Sequence, residues 1–401
     1  MRKEALQTSP ASIPADHLAT PSPRSQRLAS LDAVRGLIMV VMALDHTRDF
    51  LGLKAFMATD LAKTTAPYFL TRWVTHFCAS GFMLLAGAAA FLSGKSKPAV
   101  SRFLLTRGIW LVFAELTFIS VAWTFSFARP SLAVIWALGW SMVALAALVW
   151  LPPRLLGGLA VATIALHNTL DGLHAGPLVD QGGILAGTVT DWVITVLHQK
   201  NSPVIYPLVP WIAVMALGYT LGPLFRKEPK ARERTLLWLG LGLTAAFVLL
   251  RGLNLYGDAS RWSVQATPQF TVLSFLNTTK YPPSLLYLLM TLGPLFLALA
   301  AAERLRGPVE RVLVVFGRAP FFYYVLHLFL IHALAVALGV AQGFPVAAFF
   351  ATFWKFPKEF GLGLGAIYLA WAGVVVALYF PSRWFAGLKA KRRDWWLLTY
   401  L

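Results

Sequence analysis

Charge is what this 401-residue sequence has least of: Asp, Glu, Lys and Arg make up 13% of it, whereas 58% is hydrophobic and 13% aromatic. A soluble domain carries about 25% charged and about 45–50% apolar residues, so the chain has roughly half the charge that a water-facing surface needs. That excludes a soluble enzyme. Acidic residues are scarcer still, 17 against 35 Lys and Arg, for a net charge of +18. In a soluble protein such a surplus points to nucleic acid. Here it reads as basic loops facing the cytoplasm and anionic lipid, with no nucleic-acid partner. A single cysteine, Cys78, excludes an internal disulfide and a multi-cysteine metal site. Neither a Walker A lysine loop nor a strand-bound Gly-x-Gly-x-x-Gly is present. Residues 1–27 lack an apolar core and are therefore neither signal peptide nor span. A disordered cytoplasmic tail is expected there, followed by one transmembrane helical domain over 28–401.

What the chain has in quantity is apolar runs near 20 residues, the length a helix needs to cross a hydrocarbon core of about 30 Å. The expected fold is therefore all-α and polytopic, with about ten spans: 31–51, 70–93, 101–125, 131–151, 154–170, 203–224, 234–255, 282–303, 311–339 and 361–383. The stretch 182–198 is less apolar and is expected to lie along the interface. The stretch 341–354 holds Gly343 and Pro345 and reads as a half-span or interfacial segment. With the N-terminus placed inside, 23 basic residues fall on inside segments and 11 outside, while Arg35 lies within the first span. By the positive-inside rule both termini are cytoplasmic, and the expected location is the cytoplasmic (inner) membrane.

The first span concentrates the intramembrane charge: Asp32, Arg35, Asp45, His46, Arg48 and Asp49. A charge at that depth costs about 2.5–3.5 kcal/mol on insertion scales and needs a partner or a task. At about 100° per residue, Arg35 and His46 lie within about 20° of one another and about 16 Å apart along the axis. Asp32 and Asp49 each lie about 60° from this line, so the four form one polar stripe. Such a stripe suits a pathway from the cytoplasmic face, with Arg35 holding an anion and His46 moving a proton. Asp45 or Asp49 would then fix the histidine tautomer. The competing reading pairs Arg35 with Asp32 and leaves His46 at the outer end without chemistry.

The run Arg27-Leu28-Ala29-Ser30-Leu31-Asp32-Ala33-Val34-Arg35-Gly36, followed by an apolar helix ending in Asp45-His46, resembles the opening of the catalytic domain of the heparan-alpha-glucosaminide N-acetyltransferase family and its bacterial members. It is also similar to the membrane acyltransferase-3 family, in which Asp-x-x-Arg-Gly precedes a catalytic histidine 11 residues beyond the arginine, the spacing of Arg35 and His46. The similarity to bacterial members extends over nearly the whole chain. It includes His76 to Gly87, Tyr206-Pro207-Leu208-Val209-Pro210-Trp211, Asn277-Thr278-Thr279-Lys280-Tyr281-Pro282-Pro283-Ser284, Phe316-Gly317-Arg318, Tyr323 to His332 and Arg393-Asp394-Trp395-Trp396. The resemblance implies transfer of an acyl group, acetyl being the expected one, from cytoplasmic acyl-CoA to an extracytoplasmic acceptor, a sugar or glycan or another small molecule. The lysosomal member departs from this pattern. It carries asparagine where this chain has His46 and a catalytic histidine further on, near Met57, and this chain has no histidine between His46 and His76.

Other polar positions are candidates to complete such a site. Arg107 and Arg318 join Arg35 and Asp32 at the cytoplasmic edge, where the phosphates of CoA are expected. His76, Asn277, Lys280, Tyr281 and His327 are candidates for the acceptor or pore region, each against a packing or capping alternative. Tyr323 and His327 share a helix face, with His332 about 140° away. Glu115 lies mid-span and is expected to be paired or protonated, most simply as a lock between two helices. His167, Asp171 and His174 make a poor metal set, and no metal is expected. A transporter or flippase relaying protons or anions along the same stripe is the alternative function, although no internal repeat is evident. A non-catalytic scaffold would leave the stripe unexplained. Homo-oligomerisation is left open.

Overall fold

The computed structural model describes residues 28–127, 131–180 and 185–392, together with Trp395 and Leu398. The 1–27 tail and Arg393, Asp394 and Trp396 of the closing motif lie outside the described residues. Helices dominate, and the described residues contain no β-strand. In chain order they are α1 (Ala29–Leu51), α2 (Ala66–Thr75), α3 (Phe77–Leu92), α4 (Lys97–Ala114), α5 (Ser120–Thr124), α6 (Val134–Leu148), α7 (Pro153–Leu166), α8 (Val189–Leu197) and α9 (Val209–Thr220). They continue as α10 (Pro229–Leu253), α11 (Pro268–Leu276), α12 (Leu285–Ala302), α13 (Pro308–Arg318), α14 (Pro320–Ala341) and α15 (Leu364–Lys391).

Among the described residues six helical stretches are long and apolar enough to cross a membrane: Ala66–Leu92, Lys97–Thr124, Pro229–Leu253, Leu285–Ala302, Pro320–Ala341 and Leu364–Lys391. The first joins α2 and α3, and the second joins α4 and α5 through a π-helical segment at Glu115–Ile119. α1 is 23 residues long, and its charges keep it out of that group. It is also the central helix, packed on α2, α3, α12, α13, α14 and α15. Its charges therefore face protein, where partners exist, and not lipid. α10 and α15 are mostly outward-facing along their apolar stretches, their charges lying toward the helix ends.

Three of the expected spans are shorter helices than anticipated. α6 has 15 residues; α7 has 14 and ends in a 3₁₀ turn at His167–Leu170; α9 has 12 and is followed by a 3₁₀ turn at Gly222–Arg226. The expected span 311–339 is two helices. α13 stops at Arg318, Ala319 leaves helical geometry, and Pro320 opens α14, where its missing N–H is not needed. In the 182–198 stretch only α8 is helical; it starts with a capping box in which Thr188 and Asp191 bond each other's backbone amides. Residues 181–184 lie outside the described residues. The 341–354 stretch carries two 3₁₀ turns, Val346–Phe349 and Phe353–Lys355. Its rings cover the Leu51 end of α1: Phe353 lies 5.8 Å from Phe50 and 6.1 Å from Trp123.

One close crossing fixes how α1 sits. A Cβ on Gly36 would collide with the Leu313 carbonyl, and one on Gly317 with the Asp32 carbonyl. The glycine of the Asp-x-x-Arg-Gly run thus lets α1 and α13 meet backbone to backbone.

Candidate active site

Asp45 and His46 are neighbours on α1, about 100° apart around the helix, and face different partners. Asp45 turns to α2. Arg72 Nη1 donates to both its carboxylate oxygens at 2.7 and 2.5 Å, Thr75 Oγ1 donates at 2.7 Å, and Arg48 Nη2 lies at 2.7 Å. Arg48 Nη2 also donates to Asp49 at 2.5 Å. Taking these charges out of water costs several kcal/mol per ion, which mutual attraction and saturated hydrogen bonding offset. Asp45 is therefore engaged in tying α1 to α2.

His46 turns to α14. Its Nδ1 lies 2.6 Å from His327 Nε2, with the rings nearly parallel, and His327 Nδ1 lies 3.0 Å from the Tyr323 carbonyl. Both histidines are buried. The carbonyl only accepts, so His327 Nδ1 carries a proton and, in the neutral ring, Nε2 is an acceptor. His46 Nδ1 must then donate, which leaves His46 Nε2 with a free lone pair. A histidine, and not the flanking carboxylate expected from the sequence, sets the tautomer of His46. The remaining ring neighbours are aromatic: Trp123 at 4.9 Å and Tyr324 at 6.2 Å, both edge-on. The Trp123 indole N–H and the Tyr324 hydroxyl lie side by side, buried, without a well-formed hydrogen bond to each other or to another described residue. Buried unsatisfied donors are rare enough to call for an explanation.

The loop 277–284 meets α1 and α2 at the same end. Arg251, almost wholly buried, donates to the carbonyls of Ser260, Ser274, Phe275 and Asn277. Asp258 accepts from the Thr279 amide and hydroxyl and from Ser284 Oγ. Asn277 donates to the Thr59 carbonyl at 3.1 Å, so it serves as a tie for the loop. Lys280 is buried, with its ammonium 5.3 Å from the Tyr281 ring centroid, and Tyr281 packs on Tyr206 at 5.1 Å. His76 sits between α2 and α3; its carbonyl accepts from Tyr287 Oη at 2.6 Å, and its Nδ1 is buried without a partner. Cys78 is buried and bonds only the Ile38 carbonyl, at 3.6 Å.

The other end of α1 is different in kind. Arg35 Nη1 donates to Asp32 Oδ1 at 2.9 Å and to the Gly317 carbonyl at 3.1 Å, and Arg318 Nε lies 3.5 Å from Asp32. Arg318 is half exposed, and Arg107 is half-buried and engaged. Nearby, Glu303 accepts from Ser30 and pairs with Arg232. Glu115 does not reach Arg35. Its Oε2 accepts from the amides of Ile135 and Trp136 at 3.0 and 3.1 Å, capping the start of α6 from another helix. The trio considered for a metal disperses: His167 bonds the Pro283 carbonyl, Asp171 pairs with His198, and His174 is exposed. Among the described residues no group of three or more metal-ligating side chains occurs. Met57, where the lysosomal pattern places a histidine, is 74% exposed in the α1–α2 loop, away from this packing.

Arg72, Trp123 and Tyr287 have no site role in the sequence reading, and Tyr206 and Tyr324 enter it only within motifs of the family resemblance. Arg72 carried a readable signal: Asp45 stands six residues before the end of α1 and Arg72 six after the start of α2, opposite charges at equal depth in successive helices. Two grooves in the surface of the described residues are apolar. One, of about 450 Å³, lies among Leu51, Leu330, Leu338 and Val374; the other, of about 200 Å³, lies among Val34, Leu37, Ala301 and Leu313. Neither is lined by Arg35 or His46.

Comparison with known families matches residues 27–258 to the catalytic domain described as heparan-alpha-glucosaminide N-acetyltransferase, more than half of the chain. Asp45, His46, Arg72 and His76 fall inside the match, whereas Lys280 and His327 lie beyond it. No curated protein matches the chain.

Proposed function

The chain belongs to the heparan-alpha-glucosaminide N-acetyltransferase catalytic family, and on that premise we propose that it is a membrane-embedded acyltransferase that moves an acetyl group from cytoplasmic acetyl-CoA to an acceptor on the opposite face. The bundle of 28–401 works as one domain of about ten spans in the inner membrane, with both termini in the cytoplasm, following the basic-residue count. The donor approaches the Asp32 end, where half-exposed Arg318 and neighbouring Arg35 and Arg107 meet its phosphates. The acceptor, a sugar or glycan, approaches from the end carrying His76, Lys280 and Tyr281.

The observation that carries this reading is the His46–His327 contact at 2.6 Å with His327 anchored on the Tyr323 carbonyl. In the proposed step His46 Nε2 takes the proton of the acceptor hydroxyl or amine as its oxygen or nitrogen attacks the thioester carbonyl. The carbonyl oxygen becomes an oxyanion, which the Trp123 N–H and Tyr324 O–H are available to hold. Collapse breaks the C–S bond, and the CoA sulfur leaves with the proton returned by His46. His327 acts through His46, keeping its tautomer and sharing the positive charge while it lasts.

Purified protein in nanodiscs, given acetyl-CoA with water as the slow stand-in acceptor that takes the acetyl group as acetate, and scored for released CoA thiol, tests this directly. Wild type is expected to release thiol, His46→Ala to lose the activity while still binding acetyl-CoA, and His327→Ala to lose most of it. Absence of both thiol release and any CoA-dependent thermal shift across several acyl chains would sink the enzyme reading. Binding without turnover would favour the transporter alternative.

A further inference from the structure

Beside His46 the protein buries more positive than negative charge. Arg48 and Arg72 share the Asp45 carboxylate, and Arg48 also takes Asp49. A third cation, Lys280, is only 7% exposed and makes neither an ion pair nor a hydrogen bond to any described residue. Its ammonium lies 5.3 Å from the Tyr281 ring centroid and 6.0 Å from that of Tyr206. Ring faces attract a cation but satisfy none of its three N–H donors. Lys280 is within electrostatic reach of Asp45, His46 and His76, so these groups share one neighbourhood. Two more nitrogens there are buried without a partner, Nη1 of Arg48 and Nδ1 of His76. Three cations, Arg48 and Lys280 buried and Arg72 largely so, face two carboxylates. Asp45 is already saturated by Arg48, Arg72 and Thr75, and so has little left to offer Lys280. Unlike Arg48 Nη1 and His76 Nδ1, Lys280 Nζ is not fully enclosed, so an anion arriving from outside can reach it and offset the cost of this largely buried positive charge.

We infer that Lys280, together with His76 and the free edge of Arg48, forms an anion subsite next to His46, and that the acceptor carries a carboxylate or phosphate group which this subsite holds. The inference rests on the acceptor reading above and narrows it: the acylated hydroxyl or amine belongs to an acidic sugar or a sugar phosphate, not a neutral sugar. Holding the anionic group at Lys280 orients the nucleophile toward His46 Nε2, so the subsite acts in positioning.

Full-length protein in nanodiscs is titrated with glucuronate, glucose 1-phosphate and glucose, reading binding by calorimetry. One or both anions are expected to bind, and the neutral sugar not at the same concentrations; which anion binds identifies the source of the charge. Lys280→Gln should weaken anion binding about 10- to 100-fold, the equivalent of one hydrogen bond to a charged group, while Lys280→Arg should remain within about threefold of wild type. Glucose binding as tightly as the anions, or an unchanged affinity in Lys280→Gln, overturns the subsite. The comparison of probes on wild type needs no variant, and decides the anion requirement even if Lys280→Gln does not fold. Thiol release from acetyl-CoA in the same preparation separates the two claims. Anion binding without turnover would remove acyl transfer and keep the subsite, and turnover without anion preference would do the reverse.

Discussion

At the Ala29 end of α1, Arg35 spends its hydrogen bonds on Asp32 and on the Gly317 carbonyl, and Gly36 and Gly317 bring two backbones into contact. At the Leu51 end Asp45 is fully engaged, yet the groups around it are not: His76 Nδ1, Trp123 Nε1 and Tyr324 Oη are buried without a well-formed hydrogen bond, His46 Nε2 keeps its lone pair, and Lys280 Nζ meets only the rings of Tyr206 and Tyr281. The same helix thus carries at one end a cluster that is mostly satisfied, with Asp32 Oδ2 and Arg232 Nε lacking a hydrogen bond, and at the other end one in which reactive and donating atoms remain available. Intramembrane charge alone does not mark a site; what marks one is charge and polarity left unspent after packing is satisfied.

The comparison can be broken in several places. The largest effect on stability is expected from Asp45→Asn, which strands Arg48 and Arg72 in the interior and should cost about 3–5 kcal/mol. Asp32→Asn faces half-exposed Arg318 and partly exposed Arg35, and should cost about 1 kcal/mol or less. Chemical or thermal unfolding in detergent checks both, and equal losses would erase the distinction between the ends. Trp123→Phe keeps an aromatic six-membered ring and deletes the indole N–H with its pyrrole ring. It should lower turnover about 10²–10³-fold with little change in melting temperature, as for loss of one oxyanion donor. A parallel fall in melting temperature and no fall in turnover would make Trp123 a packing residue. Gly317→Val should destabilise by about 1–3 kcal/mol or more through overpacking at the α1–α13 crossing, leaving turnover per folded molecule intact.

The smallest effect concerns the rim. Lys54 donates to the Asp49 carbonyl, lies over the rings of Phe353, Phe356 and Phe360, and is pushed by burial from 10.5 down to about 8. Between about pH 8 and 10.5 the folded protein has lost this proton while the unfolded chain keeps it, so stability rises with pH across that window. The melting temperature of wild type relative to Lys54→Met should therefore climb from pH 8 to 10; a flat difference would mean that Lys54 keeps its charge.

Much of this was legible in the sequence, for physical reasons that differ by region. The membrane class follows from composition, and the 3.6-residue period placed Arg35 and His46 on one side of α1. The shared stripe nevertheless conceals two unlike environments, because a helical wheel gives direction but not partner. His327 was found by its proximity to Tyr323 on one face, yet its pairing with His46 joins residues 281 apart and has no local signature. Glu115 as a cap for α6 was unreadable for the same reason, since it bonds backbone amides, which every residue type provides. The 311–339 stretch was read as one span because its apolar run masks the break at Ala319-Pro320.

The central claim is that the acyl-transfer step resides at the His46 end, while the Arg35 end packs the bundle and holds the donor. The most direct test compares thiol release from acetyl-CoA by His46→Ala and Arg35→Ala, each normalised to folded protein. The account predicts a loss of about 10²–10⁴-fold in His46→Ala at an unchanged melting temperature, and in Arg35→Ala a near-normal maximal turnover at saturating acetyl-CoA, with a raised KM for the donor and a lowered melting temperature. Full turnover in His46→Ala would contradict it.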